Sequence, residues 1–139
     1  MNAAQTLWRR LFGRAAEDAA ASFLRRRGLR VLERNWRCGP LELDLVCEDG
    51  DTLVFVEVRA RDASGMVSPL ESLTPAKRRA LCNAAQCYLD ATDGWARPCR
   101  FDVVAALGRR GQTSASHLQL EHFTNVMHCD AMGGGHTAW

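Results

Sequence analysis

The chain has 139 residues, 47% hydrophobic and 24% charged, a composition typical of one globular domain with its own apolar core. The formal net charge of +2 does not by itself indicate a nucleic-acid partner. Apolar runs stay short of the roughly 20 residues that a membrane helix needs, and the N-terminus lacks the apolar segment of a signal peptide. We therefore predict a cytoplasmic protein without membrane association.

The six cysteines form no CxxC pair, and most of them lie within apolar stretches. A free cysteine in such a setting behaves as a small hydrophobic residue. We therefore predict reduced thiols, as expected in a cytosolic protein.

Apolar spacing and turn residues predict seven elements in the order α-β-β-β-α-β-β. A wide apolar stripe at helical spacing indicates a first helix that ends before Gly28. Thr74 is the expected N-cap of the second helix, with Pro75 as its first residue. The predicted helices cover residues 11–27 and 75–90, and the predicted strands cover 29–36, 41–47, 52–60, 99–107 and 117–123. We predict a single domain over residues 1–128 and a disordered tail over 129–139.

Glu17 stands apart from the polar face of the first helix. It shares a helical stripe with Gly13, Ala20 and Leu24, so its carboxylate should emerge at the edge of the buried surface. A solvated helix acid is the alternative interpretation.

Two more acids lie on the second and third predicted strands. Asp44 lies on the face of the second strand opposite to its apolar residues Leu41, Leu43, Leu45 and Cys47. With a turn centred on Asp49-Gly50, Asp44 should face Phe55 and have Glu57 as its diagonal neighbour, at roughly 7 Å between backbones. Two carboxylates so placed can bind Mg²⁺ or Mn²⁺. A salt-bridged set with Arg59 that only closes the sheet face is the alternative.

Helix-borne Glu17, followed by the segments LELDLV and FVEVR, resembles the PD-(D/E)XK nuclease core, an arrangement shared by archaeal Holliday junction resolvases. Together with GRAAEDAA, RGLRVLERNWR, TPAK and RFDVV, these segments resemble the YraN-like family of bacterial proteins over about residues 13–123. The resemblance implies a restriction-endonuclease-like α/β fold, with a mixed sheet flanked by helices. It also implies a nuclease-like acidic site at Glu17, Asp44 and Glu57.

The chain departs from the family pattern at Arg59, where a Glu-Val-Lys element would place lysine. Arginine can hold a phosphate through two hydrogen bonds, but it cannot release a proton near neutral pH. We therefore expect weak or absent cleavage, and a gain from Arg59→Lys. Lys77, the only lysine among the 18 basic residues, is the competing candidate, because it lies at the helix end that favours phosphate. A lysine whose stem covers apolar surface is the alternative.

These observations predict metal-dependent phosphodiester hydrolysis on DNA, with branched and single-stranded DNA both left open. The predicted catalytic residues are Glu17, Asp44, Glu57, Arg59 and Lys77, with Mg²⁺ or Mn²⁺ held by Asp44, Glu57 and Glu17. The predicted nucleic-acid-binding residues are Arg25, Arg26, Arg27, Lys77 and Arg78.

Two other functions stay open. One is a nucleic-acid-binding module with a degenerate nuclease site, and the other is a protein-interaction domain that uses the loop around Gly65 and the tail. The oligomeric state is also left open, a homodimer included.

Overall fold

The computed structural model describes residues 3–62, 68, 70–71, 73–108 and 118–129. Its elements follow the predicted order α-β-β-β-α-β-β, and most boundaries lie within two residues of the predicted ones. The main difference is the first helix, which begins eight residues earlier than predicted. The elements are α1 (Ala3–Arg26), β1 (Arg30–Cys38), β2 (Leu41–Asp49), β3 (Thr52–Asp62), α2 (Pro75–Thr92), β4 (Cys99–Gly108) and β5 (Gln119–Phe123).

The five strands form one mixed sheet in the order β1-β2-β3-β4-β5. All neighbouring pairs are antiparallel except β3 and β4, which run parallel and are connected through α2. A parallel pair needs such a crossover, whereas an antiparallel pair can be joined by a tight turn. This α/β architecture agrees with the predicted restriction-endonuclease-like core.

The two helices cover opposite faces of the sheet. On one face α1 packs Ala20 and Leu24 against a cluster that includes Val54. On the other face α2 packs Leu81 and Leu89 against a cluster that includes Phe55, Val46 and Phe101. Central strand β3 is therefore buried on both sides, which explains its nearly continuous apolar sequence.

The hairpin between β2 and β3 differs in register from the prediction. Its turn consists of Gly50 and Asp51, and Gly50 has φ +60°, the positive value that the first position of a two-residue II′ turn requires. Phe55 consequently pairs with Val46, so the predicted pairing of Asp44 with Phe55 is wrong. The ladder ends at Leu45 and Val56, and its register continued by one residue brings Asp44 opposite Glu57.

The predicted single apolar face of β2 is also wrong. Leu45 and Cys47 pack on the α1 side of the sheet, whereas Leu43 packs on the α2 side. The alternation breaks at Asp44, where the pairing with β3 stops and the side chain of Asp44 contacts the β3 backbone instead. On its other side β2 stays paired with β1 at Leu43 and Leu45, and Asn35, between their two partners, has φ +52°.

A disulfide joins Cys82 on α2 to Cys129 beyond β5, which contradicts the prediction that every cysteine is reduced. The two residues lie 47 positions apart in sequence, so the pairing depends on tertiary structure and leaves no local motif. Cys129 is also buried, although we assigned it to the disordered tail. Residues 130–139, the rest of that tail, lie outside the described residues.

Among the described residues, no helix is both long and apolar enough to cross a membrane.

Candidate active site

Asp44 lies where β2 and β3 separate. Its Oδ2 accepts a hydrogen bond of 2.8 Å from the backbone N–H of Val58, one residue beyond the continued register. The β2–β3 ladder ends before Val58, so no β2 backbone carbonyl accepts this N–H, and the Asp44 carboxylate accepts it instead. This bond fixes Asp44 against β3 beside Glu57.

Glu57 is the most buried acid of the predicted site, with 7% of its surface exposed. Its Oε1 lies 3.5 Å from a guanidinium nitrogen of Arg59 and 3.4 Å from Nζ of Lys77. A buried carboxylate is costly unless charge or hydrogen bonds compensate it, and these two cations provide that compensation. Arg59 approaches along the strand, two residues on, and Lys77 approaches from α2.

Lys77 reaches Glu57 because of the way α2 begins. Thr74 caps the helix with its hydroxyl, which accepts a hydrogen bond from the backbone N–H of Lys77, and Pro75 follows as the first helical residue. This confirms the predicted helix start. It also fixes Lys77 in the first turn, where its side chain can extend to β3.

Burial raises the pKa of the Asp44 carboxyl from 3.8 to about 7, with a further increase from the negative charge of Glu57. The hydrogen bond from Val58 opposes that rise in pKa, and so does the charge of Lys77, whereas the charge of Glu17 adds to it. Glu17 on α1 and Lys77 on α2 thus both act on Asp44. The structure brings Glu57, Arg59 and Lys77 into direct contact beside Asp44, and Glu17 lies near enough for its charge to raise the pKa of Asp44.

Arg61 is a residue of this region that our sequence analysis missed. It follows Arg59 by two positions on β3, and burial together with the positive charge of Arg59 lowers its pKa. Arg61 donates a hydrogen bond of 3.0 Å to the backbone carbonyl of Ala60, and on the strand face that it shares with Arg59 it adds a second guanidinium for an anion. Alternate residues of a strand lie on the same face, so the spacing of Glu57, Arg59 and Arg61 would have predicted that Arg61 belongs to this region.

The predicted nucleic-acid-binding residues divide into two groups. Arg25, Arg26 and Arg27 are exposed at the C-terminal end of α1, and Arg25 lies about 12 Å along the helix from Glu17. Arg78 is exposed next to Lys77, and its Nε donates a hydrogen bond to the backbone carbonyl of Leu73. The loop around Gly65 lies outside the described residues.

The donor set of this region offers two adjacent carboxylates to a cation. The negative charge of Glu57 raises the pKa of Asp44, and a divalent cation between the two carboxylates would relieve that repulsion. Within the described part of the chain, no three His, Cys, Asp or Glu side chains lie close enough together to hold a metal ion. Mg²⁺ fits two carboxylates, since it keeps several water ligands in protein sites.

A second charged cluster lies on β4 and β5. The buried Asp102 accepts hydrogen bonds from the side chain of Arg100 and from the backbone N–H of Asn125. Its carboxylate also lies 2.9 Å from Nε2 of His122. Arg100 also bonds Asp49 at the β2–β3 turn. These contacts hold the hairpin, β4 and the segment after β5 together. We assign them a structural role.

Comparison with known proteins identifies the family of the chain. The model of "Uncharacterised protein family UPF0102" matches residues 16–106, a range that contains Glu17, Asp44, Glu57, Arg59 and Lys77. The chain belongs to the UPF0102 family.

Similar relatives support this assignment over most of the chain. A UPF0102 protein of Nitratidesulfovibrio vulgaris is 48% identical over 128 residues, which cover 91% of this chain and 92% of that protein. A UPF0102 protein of Lawsonia intracellularis is 45% identical over 128 residues, with 91% and 93% covered. A UPF0102 protein of Pseudomonas syringae is 50% identical over 103 residues, with 73% and 84% covered. The predicted YraN-like membership is thereby confirmed, and the likeness to archaeal resolvases stays a prediction.

Proposed function

We propose that this UPF0102 protein is a metal-dependent nuclease that hydrolyses phosphodiester bonds in DNA. The observation that carries the proposal is the convergence of Asp44, Glu57 and Lys77, two adjacent carboxylates and an ammonium at the point where two strands separate. Such a site combines groups that bind a divalent cation with groups that bind the negative charge of a phosphate.

Asp44 and Glu57 would hold Mg²⁺ or Mn²⁺, and Glu17 would position a water molecule from the α1 side. A divalent ion bound there would lower the pKa of water for attack and stabilise the leaving oxygen. Arg59 and Arg61 would hold non-bridging phosphate oxygens through paired N–H donors, which a planar guanidinium provides. Together these residues orient the phosphate and offset the charge that develops on it.

Lys77 would provide the ammonium that the family pattern places at the position of Arg59. Its Nζ already lies at Glu57, and an ammonium is compact enough to contact both a water molecule and a phosphate oxygen. The guanidinium of Arg59 stays protonated near neutral pH, so it cannot accept a proton from a water molecule. The proposal therefore assigns phosphate binding to Arg59 and the lysine role to Lys77.

Cleavage assays test this function directly. Linear duplex, single-stranded and four-way DNA would be incubated with the protein and Mg²⁺ or Mn²⁺, with Asp44→Asn as the inactive variant. We expect cleavage of at least one substrate by the wild type and a loss of about a hundredfold or more in Asp44→Asn. Asp18→Asn, an exposed carboxylate on α1, is the control that should cleave normally.

A nucleic-acid-binding module without catalysis is the second candidate. It is favoured by Arg59 in place of the motif lysine, and by the two cations that already neutralise Glu57. This candidate predicts salt-sensitive DNA binding with no cleavage by the wild type or by Arg59→Lys in either metal. Binding together with cleavage would exclude it.

A further inference from the structure

A groove of about 400 Å³ lies on the outer side of α2, between that helix and the segment after β5. It is distinct from the cluster around Glu57, which lies on the inner side of α2 towards the sheet. The groove is lined by the polar side chains Arg78, Arg79, Asn83, Gln86 and His128. None of the predicted catalytic residues lines it.

The chemistry of the lining indicates an anionic ligand. Arg78 and Arg79 provide fixed positive charge, while Asn83 and Gln86 provide amide groups that can donate or accept hydrogen bonds. No acidic residue from the described part of the chain lines the groove. Guanidinium and amide donors without a competing carboxylate are suited to phosphate oxygens.

The arrangement of these side chains follows one line along the helix. Arg79, Asn83 and Gln86 are spaced by four and three residues, so they form a stripe of about 10 Å along α2. The volume of the groove lies in the range that holds ligands of about nucleotide size. An extended single strand fits such a surface, whereas a duplex presents its phosphates across a much wider cylinder.

The groove begins beside the proposed active site. Lys77 and Arg78 are consecutive residues in the first turn of α2, where Lys77 points to Glu57 and Arg78 lines the groove. A backbone phosphate held near Lys77 can therefore be followed by further phosphates along the outer face of the helix. Backbone N–H groups at this helix end add to the attraction for phosphate.

The second wall of the groove is held covalently. Cys82 on α2 and Cys129 both line the groove, and their disulfide fixes the segment that carries His128 against the helix. Without the disulfide, only noncovalent contacts would hold that segment against α2, although the backbone still joins it to β5. The width of the groove should therefore depend on the disulfide.

We infer that this groove binds the phosphate backbone of a single-stranded nucleic acid that continues from the active site, and that the Cys82–Cys129 disulfide holds it in shape. The inference rests on the proposed nucleic-acid function. It adds the form of the nucleic acid, a single strand, and a second binding surface outside the acidic cluster.

Fluorescence anisotropy with a labelled single-stranded thymidine 12-mer tests the inference at low salt and without divalent ions. Arg79→Glu should weaken binding at least tenfold and flatten the dependence of log affinity on log salt by about one phosphate contact. Arg10→Glu makes the same change of charge at an exposed position on α1 and should weaken binding less than threefold. Cys129→Ser, or reduction of the wild type, should also weaken binding of the 12-mer.

Three results would overturn the inference. If Arg79→Glu and Arg10→Glu weaken 12-mer binding equally while the wild type still cleaves DNA, the groove is not the binding surface and the nuclease proposal is unaffected. Displacement of the 12-mer by inorganic phosphate at an equal phosphate concentration would indicate a site for free phosphate. Absence of 12-mer binding by the wild type at low salt would rule out the groove as a binding surface, whereas the cleavage assays on duplex and four-way DNA decide the proposed function separately.

Discussion

The ammonium of Lys77 lies 3.4 Å from Oε1 of Glu57, so the only lysine of the chain is held at its most buried described glutamate. The contact crosses from α2 to the central strand of the sheet. It is the structural basis for assigning the lysine role of the nuclease motif to a helix residue.

Lys77→Ala should therefore abolish most of the cleavage activity. We expect a loss of about a hundredfold or more in kcat, because the variant lacks an ammonium that stabilises developing charge on the phosphate. Glu57 retains Arg59 as an ion-pair partner in this variant, so folding should survive. Single-turnover cleavage and a thermal melt would separate the two effects.

Arg59→Lys provides the matched test of the same assignment. If Lys77 has the lysine role, Arg59→Lys should change cleavage less than about threefold, and it should weaken DNA binding because a bidentate phosphate contact is lost. The sequence alone favoured the opposite outcome, in which wild-type cleavage is weak and Arg59→Lys increases it. A tenfold increase would correspond to about 1.4 kcal/mol of transition-state stabilisation and would return the role to position 59.

Asp44→Asn should stabilise the protein in a pH-dependent manner. The folded protein raises the pKa of Asp44 from 3.8 to about 7, so it holds the proton more tightly than the unfolded chain does. Wild-type stability should therefore fall as pH rises from about 4 to about 7, by at most roughly 1.4 kcal/mol per pH unit from this group, and stay level above that range. Asparagine carries no charge and can still accept the hydrogen bond from Val58.

Urea unfolding between pH 4.5 and 8.5 measures this effect. The free-energy difference between Asp44→Asn and wild type should be small at pH 4.5 and largest above pH 7. Asp18→Asn, at an exposed carboxylate paired with Arg34, should show a much weaker trend. A constant difference between Asp44→Asn and wild type across the pH range would mean that Asp44 is not destabilised by its surroundings.

The disulfide predicts a definite thiol count. The denatured, unreduced protein should react at four thiols, those of Cys38, Cys47, Cys87 and Cys99, and at six after reduction. Cys129→Ser should lower the free energy of unfolding by about 2–4 kcal/mol, because the cross-link closes a long loop in the unfolded chain. Cys38→Ser, at a half-buried free cysteine, is the control and should cost less. Six reactive thiols before reduction would restore the original prediction for the cysteines.

DNA affinity should depend on salt through the exposed arginines. If about four phosphates are contacted, log affinity should fall against log salt with a slope near −3 to −4. Charge reversal at Arg25 and Arg26 should flatten that slope, because both side chains are exposed at the end of α1. An unchanged slope would place the contacts elsewhere, for example at Arg78 and Arg79.

The order of elements was predictable from the sequence because each element has a local signature. Thr74 and Pro75 mark the start of α2, and Gly28 lies just beyond the end of α1, as capping preferences predict. The burial of Glu57 was predictable for a similar reason. Glu57 interrupts a strand that is otherwise apolar, so a buried charge with partners was to be expected.

Features that depend on long-range contacts were not predictable in this way. The predicted pairing of β2 with β3 was two residues out of register. From the sequence, either Asp49-Gly50 or Gly50-Asp51 could form the turn, and the backbone shows that Gly50, with its positive φ, is the first turn residue. The Cys82–Cys129 disulfide and the bond between Asp102 and His122 join residues with no sequence relationship. The disulfide follows from the packing of the segment after β5 against α2, and the bond between Asp102 and His122 follows from the pairing of β4 with β5.

Binding of Mn²⁺ by calorimetry tests the central claim, that Asp44 and Glu57 share one divalent cation. We predict one site in the wild type, weakened tenfold or more by Asp44→Asn and by Glu57→Gln, as expected for the loss of a coordinating charge. In the double variant Asp44→Asn/Glu57→Gln, the Mn²⁺ affinity should fall by no more than the product of the two single-variant losses, because both residues hold the same ion. Equal Mn²⁺ affinity in the wild type and both single variants would contradict the claim.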